Sequence, residues 1–193
     1  MSLQTINHID LLIHPNHVAL TIAADLPTHK IEEELRISWW ERAQLISQNK
    51  NGILIEFSTL VFDHHPFEVL EYIGNDELFD KIQLEVLRVN QFKEMLGDKY
   101  FLFGNQFDPK DIDLLNILKD RNFQLSQEPT ILGYGQYLEA CVDTWTLGLV
   151  DELKKWGLSP SFFMNSRLSL DNHKAMLELK DNVYYSELKN FNL

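Results

Sequence analysis

Thr130-Ile131-Leu132-Gly133-Tyr134-Gly135, followed by the run Gln136 to Trp156, is the stretch on which the fold turns. Ile131 and Leu132 read as a short buried strand, the glycines as a turn, and Gln136 to Trp156 as a long helix. Leu138, Cys141 or Val142, Trp145, Leu149, Leu153 and Trp156 recur along one stripe, the spacing of a helix with one apolar face. In an open α/β sheet, ligands bind outside the carboxyl end of a strand, at such a junction. The only cysteine of the chain, Cys141, falls there.

The flanking chain repeats the alternation. Ile9 to Ile13 is apolar apart from Asp10 and stops at His14-Pro15-Asn16-His17, and a second apolar run, Val18 to Ala24, follows. A helix is predicted from Lys30 to Ser47, with Ile31, Leu35, Trp39, Ala43 and Ile46 at helical spacing. Glu32, Glu33 and Glu34 sit in its first turn, where the dipole favours acids. Ile53-Leu54-Ile55-Glu56-Phe57 is the clearest strand, with the near-continuous apolarity of a strand covered on both faces. A short helix near Glu68 to Ile73 precedes one from Asp76 to Leu96, whose stripe is Leu78, Ile82, Glu85, Val89 and Phe92. Tyr100 to Phe103 reads as a strand. Asp108-Pro109 then starts a helix ending near Asn122, proline being favoured at the first helical position. Ser161 to Met164 is the last clear strand and Asp171 to Asn182 a candidate helix, while Tyr184 to Leu193 shows no pattern.

Strands alternating with helices imply an α/β fold: a three-layer sandwich with a mostly parallel central sheet and helices on both faces. Right-handed crossovers follow from strand twist. The 193 residues show no internal repeat and no long linker, so residues 1–193 read as one domain.

Composition narrows the function. Hydrophobic residues make up 45% and charged residues 24%, as in ordinary globular proteins. A net charge of −12 and a pI near 4.9 disfavour nucleic acid and anionic membrane, both of which are bound through Lys and Arg. No run approaches the length of a membrane span, and Met1 to Asn7 lacks a signal peptide's basic start. With one cysteine no internal disulfide can form. The expectation is a cytoplasmic protein.

Cys141 has a catalytic and a structural reading. It could be a thiolate held near a helix start and activated by a neighbouring cation or base. It could equally be a small hydrophobe on the apolar stripe. Gly135-Gln136-Tyr137-Leu138-Glu139-Ala140-Cys141-Val142 resembles the glycine turn and "C-V" of the isochorismatase-like cysteine hydrolases, which include nicotinamidases. The resemblance implies Cys141 as nucleophile and Lys99, ahead of Tyr100 to Phe107, as its stabilising lysine. That family's first strand carries a catalytic aspartate at its end. The aspartate available here is Asp10, in mid-strand, and His14 offers an alternative base. The reaction implied is hydrolysis of a carbon–nitrogen bond in a small-molecule substrate. Lys99, directly after Gly97-Asp98, also suits a solvated lysine complementing a helix end.

Four of the seven histidines lie in two clusters, His14/His17 and His64/His65, the latter beside Asp63. Imidazoles and a carboxylate suit zinc, iron or manganese, which makes Asp63, His64 and His65 candidate metal ligands. Asp63-His64-His65-Pro66 also resembles the signature of the DHH phosphoesterases. The plainer reading is a histidine-rich loop with Asp63 capping a turn. Dinucleotide, phosphate-loop and Gly-x-Ser-x-Gly signatures are absent from the sequence. The pair Trp39-Trp40 marks a possible contact surface, because one helix face cannot bury two adjacent large residues equally. Three functions are therefore expected in competition. One is an isochorismatase-like hydrolase or a degenerate member of that fold. The second is a non-catalytic α/β protein working as a homo-oligomer or through partners. The third is a metal-dependent hydrolase.

Overall fold

The computed structural model describes residues 3–15, 29–58, 76–104, 109, 112–135, 141–165, 168–169 and 184–185. Five strands form an all-parallel sheet: β1 (Gln4–Ile13), β2 (Gly52–Ser58), β3 (Tyr100–Gly104), β4 (Phe123–Gly135) and β5 (Ser161–Met164). A two-residue β6 (Tyr184–Tyr185) adds to β5, also parallel. The order across the sheet is β3-β2-β1-β4-β5-β6. It reverses between β1 and β4.

Four α-helices are found among the described residues: α1 (His29–Gln48), α2 (Asp76–Leu96), α3 (Leu114–Asp120) and α4 (Asp143–Lys155). The expected layers are present. Leu35, Trp39, Ala43 and Ile46 of α1 and Val89, Phe92 and Leu96 of α2 bury against Leu12, Leu54, Leu132 and Tyr134 on one face of the sheet. Leu114 and Leu118 of α3 and Leu149, Val150 and Leu153 of α4 bury against Ile9, Leu11, Ile13, Ile53 and Ile55 on the other. Successive strand residues point to opposite faces, so each central strand feeds both cores. That is why these runs read as continuously apolar.

Several boundaries differ from the sequence reading. β4 begins at Phe123 rather than near Ile131: its first half pairs with Gln4 to Ile6, and the run Ser126-Gln127-Glu128-Pro129-Thr130 interrupts the apolar pattern between Leu125 and Ile131. Its register shifts between Ile6 and His8, opposite the stretch that contains Pro129, whose missing N–H cannot join a ladder. α3 starts at Leu114, where the Asp113 side chain accepts from the Asn116 N–H, and not at Pro109. Val18 to Ala24, Glu68 to Ile73 and Asp171 to Asn182 lie outside the described residues.

The face beneath α1 and α2 has an unusual composition. One row across the sheet reads Tyr100, Leu54, Asp10, Leu132, and the next row toward the carboxyl edge reads Leu102, Glu56, Leu12, Tyr134. Each row is the other reversed, with Asp exchanged for Glu. Asp10 and Glu56 are both 0% exposed, and a charge taken so far from water must be paired.

Candidate functional site

Each buried acid receives an arginine from the helix that follows its strand, 32 residues on in both cases. Arg42 of α1 grips Asp10 at two points, Nε to Oδ2 at 2.9 Å and Nη2 to Oδ1 at 2.6 Å. The Tyr134 hydroxyl donates to Oδ2 at 2.9 Å, and His8 Nε2 lies 2.6 Å from Oδ1. Burial alone would push the Asp10 carboxyl up. The His8 hydrogen bond and the Arg42 charge override it and hold the group below the ordinary aspartate range. The Tyr134 hydroxyl is raised well above the usual value, first by burial and then by the carboxylate it faces.

Glu56 repeats the arrangement. Arg88 of α2 donates Nη2 to Oε1 at 2.7 Å and Nη1 to Oε2 at 2.8 Å, and the Tyr100 hydroxyl donates to Oε2 at 2.6 Å. Arg88 Nε also bonds Glu85 at 3.0 Å, and Arg36 reaches Glu85 from the rim at 3.1 Å. The Arg88 guanidinium carbon lies 5.1 Å from the Phe92 ring centroid. Forked arginine contacts of this kind are the strong class of charge-assisted hydrogen bond. Both clusters balance acids against arginines, and both are deep in the α1/α2 layer.

The carboxyl edge between β1 and β4 is the place where an open α/β sheet takes ligands. Ile13 is level with Gly135 there. His14, just beyond, has φ 51° and donates its N–H to the Phe57 carbonyl at 2.7 Å. Its ring stands edge-on to Trp145 with centroids 5.1 Å apart, and Trp145 in turn packs on Phe57 at 4.5 Å. A non-glycine residue with positive φ is uncommon, and such residues cluster at functional sites. Gly135 has φ 146°, and a Cβ there would meet the Ile13 carbonyl oxygen at 2.0 Å, so no other residue fits. Beside these, Ile55, Phe57, Phe103, Pro109, Ile112, Leu114 and Leu149 line an apolar hollow of about 10 Å³. That is room for roughly one water, and the lining offers it no hydrogen-bond partner.

Cys141 precedes α4 at the same edge and is half-buried against the α3/α4 core. Burial pushes its thiol up, and its own backbone hydrogen bond offsets this only in part. An activated nucleophile needs the opposite shift.

The other two members of the expected triad are elsewhere. Asp10 sits three residues before the end of β1, about 10 Å short of the carboxyl edge, enclosed by Arg42, Tyr134 and His8. Lys99 immediately precedes Tyr100 at the start of β3, at the opposite, amino edge of the sheet. Its ammonium donates to the carbonyls of Ile46, Ser47 and Asn49 at 3.2, 3.1 and 3.0 Å. Ile46 and Ser47 lie in the last turn of α1, where carbonyls lack intrahelical partners, and the Asn49 carbonyl also accepts the Gly52 N–H at 3.3 Å; burial lowers the Lys99 pKa. Cys141, Lys99 and Asp10 are not brought together. Lys99→Met should lower stability by about 1.5–3 kcal/mol, the scale of hydrogen bonds to a charged donor, as measured by urea unfolding. Cys141 reactivity should be unchanged by the same substitution.

Asp63, His64, His65 and His17 lie outside the described residues, and no group of three metal-binding side chains occurs among those described. Of the tryptophan pair, Trp39 is core and Trp40 packs at the core's margin against Phe92. Among the described residues no helix is long and apolar enough to cross a membrane. Arg42, Arg88, Tyr100 and Tyr134 belong to no sequence motif that marks them as acid partners. The signal was present in Asp10, Glu56 and Glu85, three acids at positions the apolar pattern assigns to core. No family model, no curated protein and no solved structure matches the chain.

Proposed function

We propose that this chain binds a small molecule at the carboxyl edge between β1 and β4, as an α/β protein whose hydrolase-like triad is degenerate. The observation that carries this reading is the use already made of the two partners Cys141 would need. The Lys99 amine is occupied by the end of α1, and Asp10 is closed off by Arg42. The reversal of strand order and the paired backbone outliers at His14 and Gly135 support this edge as the binding place. Cys141 then lines the site without attacking its occupant.

Two measurements test the reading together. Iodoacetamide should alkylate Cys141 more slowly in the folded protein than in denaturant, since burial favours the neutral thiol and only the thiolate reacts. Faster reaction in the folded state would return the chain to the cysteine hydrolases. A ligand found by thermal shift among small carboxylic acids, amides and nucleotides should lose its stabilising effect once Cys141 carries N-ethylmaleimide. A shift that survives this modification places binding elsewhere and ends the proposal.

A further inference from the structure

Two observations on α1 connect the buried Asp10 cluster to the carboxyl edge. Arg42 and Trp39 are three residues apart on this helix, hence on one face. Arg42 holds Asp10, while the Trp39 indole N–H donates to the Leu168 carbonyl at 2.9 Å. Leu168 belongs to a turn after β5, closed by its N–H on the Asn165 carbonyl at 3.3 Å. The Ser169 hydroxyl donates to that same carbonyl at 2.9 Å and accepts the Gly135 N–H at 3.2 Å. Asn165 is fixed in turn by its own N–H on the Gly133 carbonyl at 2.9 Å.

These contacts close a ring. It runs from Asp10 through Arg42 and Trp39 to Leu168 and Ser169, then through Gly135 to Tyr134, whose hydroxyl returns to Asp10. All of its members are buried. The aliphatic packing of α1 on the sheet is non-directional. A forked guanidinium on a fixed carboxylate specifies both position and orientation. A slip of α1 by one turn, about 5.4 Å, would break the Arg42 fork and draw Trp39 off Leu168 in the same movement.

We propose that the Asp10–Arg42–Tyr134 cluster is a conformational device that, by fixing α1, holds Ser169 on the Gly135 amide and so keeps the carboxyl edge in its present form. Loosening the buried pair releases the Gly135 N–H at a distance. The device operates whatever the edge binds, so it stands or falls separately from the binding reading.

Amide hydrogen exchange on the full-length ¹⁵N-labelled chain tests it. Arg42→Lys keeps the charge but loses the fork, and Trp39→Phe keeps a ring but loses the donor. Each should speed exchange of the Gly135 amide by about tenfold or more relative to the Leu11 amide in the central strand β1, because local opening is separable from global unfolding. The double variant should add little to the larger single effect, since both act on one linkage. Ser169→Ala, which removes the acceptor itself, marks the largest change available. An unchanged Gly135 amide, equal acceleration at Leu11, or fully additive effects would each overturn the proposal. Trp39→Phe leaves every charged group in place, so the test survives even where Arg42→Lys fails to fold.

Discussion

Replacing Arg88 with Met should cost about 3–5 kcal/mol of folding free energy, the range for stranding a buried charge. Arg88 serves two carboxylates at once, Glu56 at 0% and Glu85 at 1% exposure. Without it, Glu56 retains one tyrosine hydroxyl and Glu85 retains Arg36. The control is Arg36→Met. That side chain sits on the rim of the same cluster, 23% exposed against 8% for Arg88, and its removal leaves Arg88 on both carboxylates, so it should cost clearly less. Guanidinium titration of both variants at neutral pH makes the comparison. Equal losses would mean that water reaches Glu56 and that the cluster is not sealed.

Gly135→Ala is the second large effect. Its Cβ would lie 2.0 Å from the Ile13 oxygen and 2.8 Å from the Ile13 carbonyl carbon and nitrogen. All three are main-chain atoms of the central strand, so no side chain can turn aside, and the φ of 146° adds torsional strain. A loss of about 3 kcal/mol or more is expected, at the upper end of overpacking effects. Gly97→Ala separates the two contributions. Gly97 has φ 55° with nothing within 4 Å of a Cβ, so its substitution should cost only the left-handed backbone penalty of about 1–2 kcal/mol. Thermal unfolding of both variants, compared at one pH, would contradict the steric account if their losses were alike.

The architecture was legible because its determinants are local and periodic. The stripe Leu35, Trp39, Ala43 and Ile46 buries as the helical spacing requires, and Ile53 to Phe57 is covered on both faces as its continuous apolarity implies. The first half of β4 was not legible, because pairing with Gln4 to Ile6 is a long-range event and Ser126 to Thr130 break the apolar pattern before Ile131. The candidate site fared differently. Cys141 does lie at the strand–helix junction beside the sheet's reversal of order, but proximity in sequence pattern says nothing about which edge a residue occupies. Lys99 stands before its strand rather than after it, and that difference carries it to the far edge. Asp10 was visible as an acid in an apolar strand. Its partner Arg42 was not, since choosing among the arginines needs the crossover that lays α1 over β1.

The reversed rows of Tyr, Leu and acid beneath α1 and α2 bear on how the strands find one another. A parallel strand that is apolar on both faces carries little information about its own alignment. A slip of one residue exchanges the faces of β1 and drives Asp10 into the α3/α4 core. A slip of two residues keeps the faces and, for aliphatic side chains alone, would pass unnoticed. In one direction that slip sets Asp10 directly beside Glu56, where the native pairing has Asp10 beside Leu54 and Leu12 beside Glu56. Two carboxylates would then compete for one stretch of dry surface. In that direction the two buried acids disfavour a misalignment that hydrophobic contact alone would tolerate.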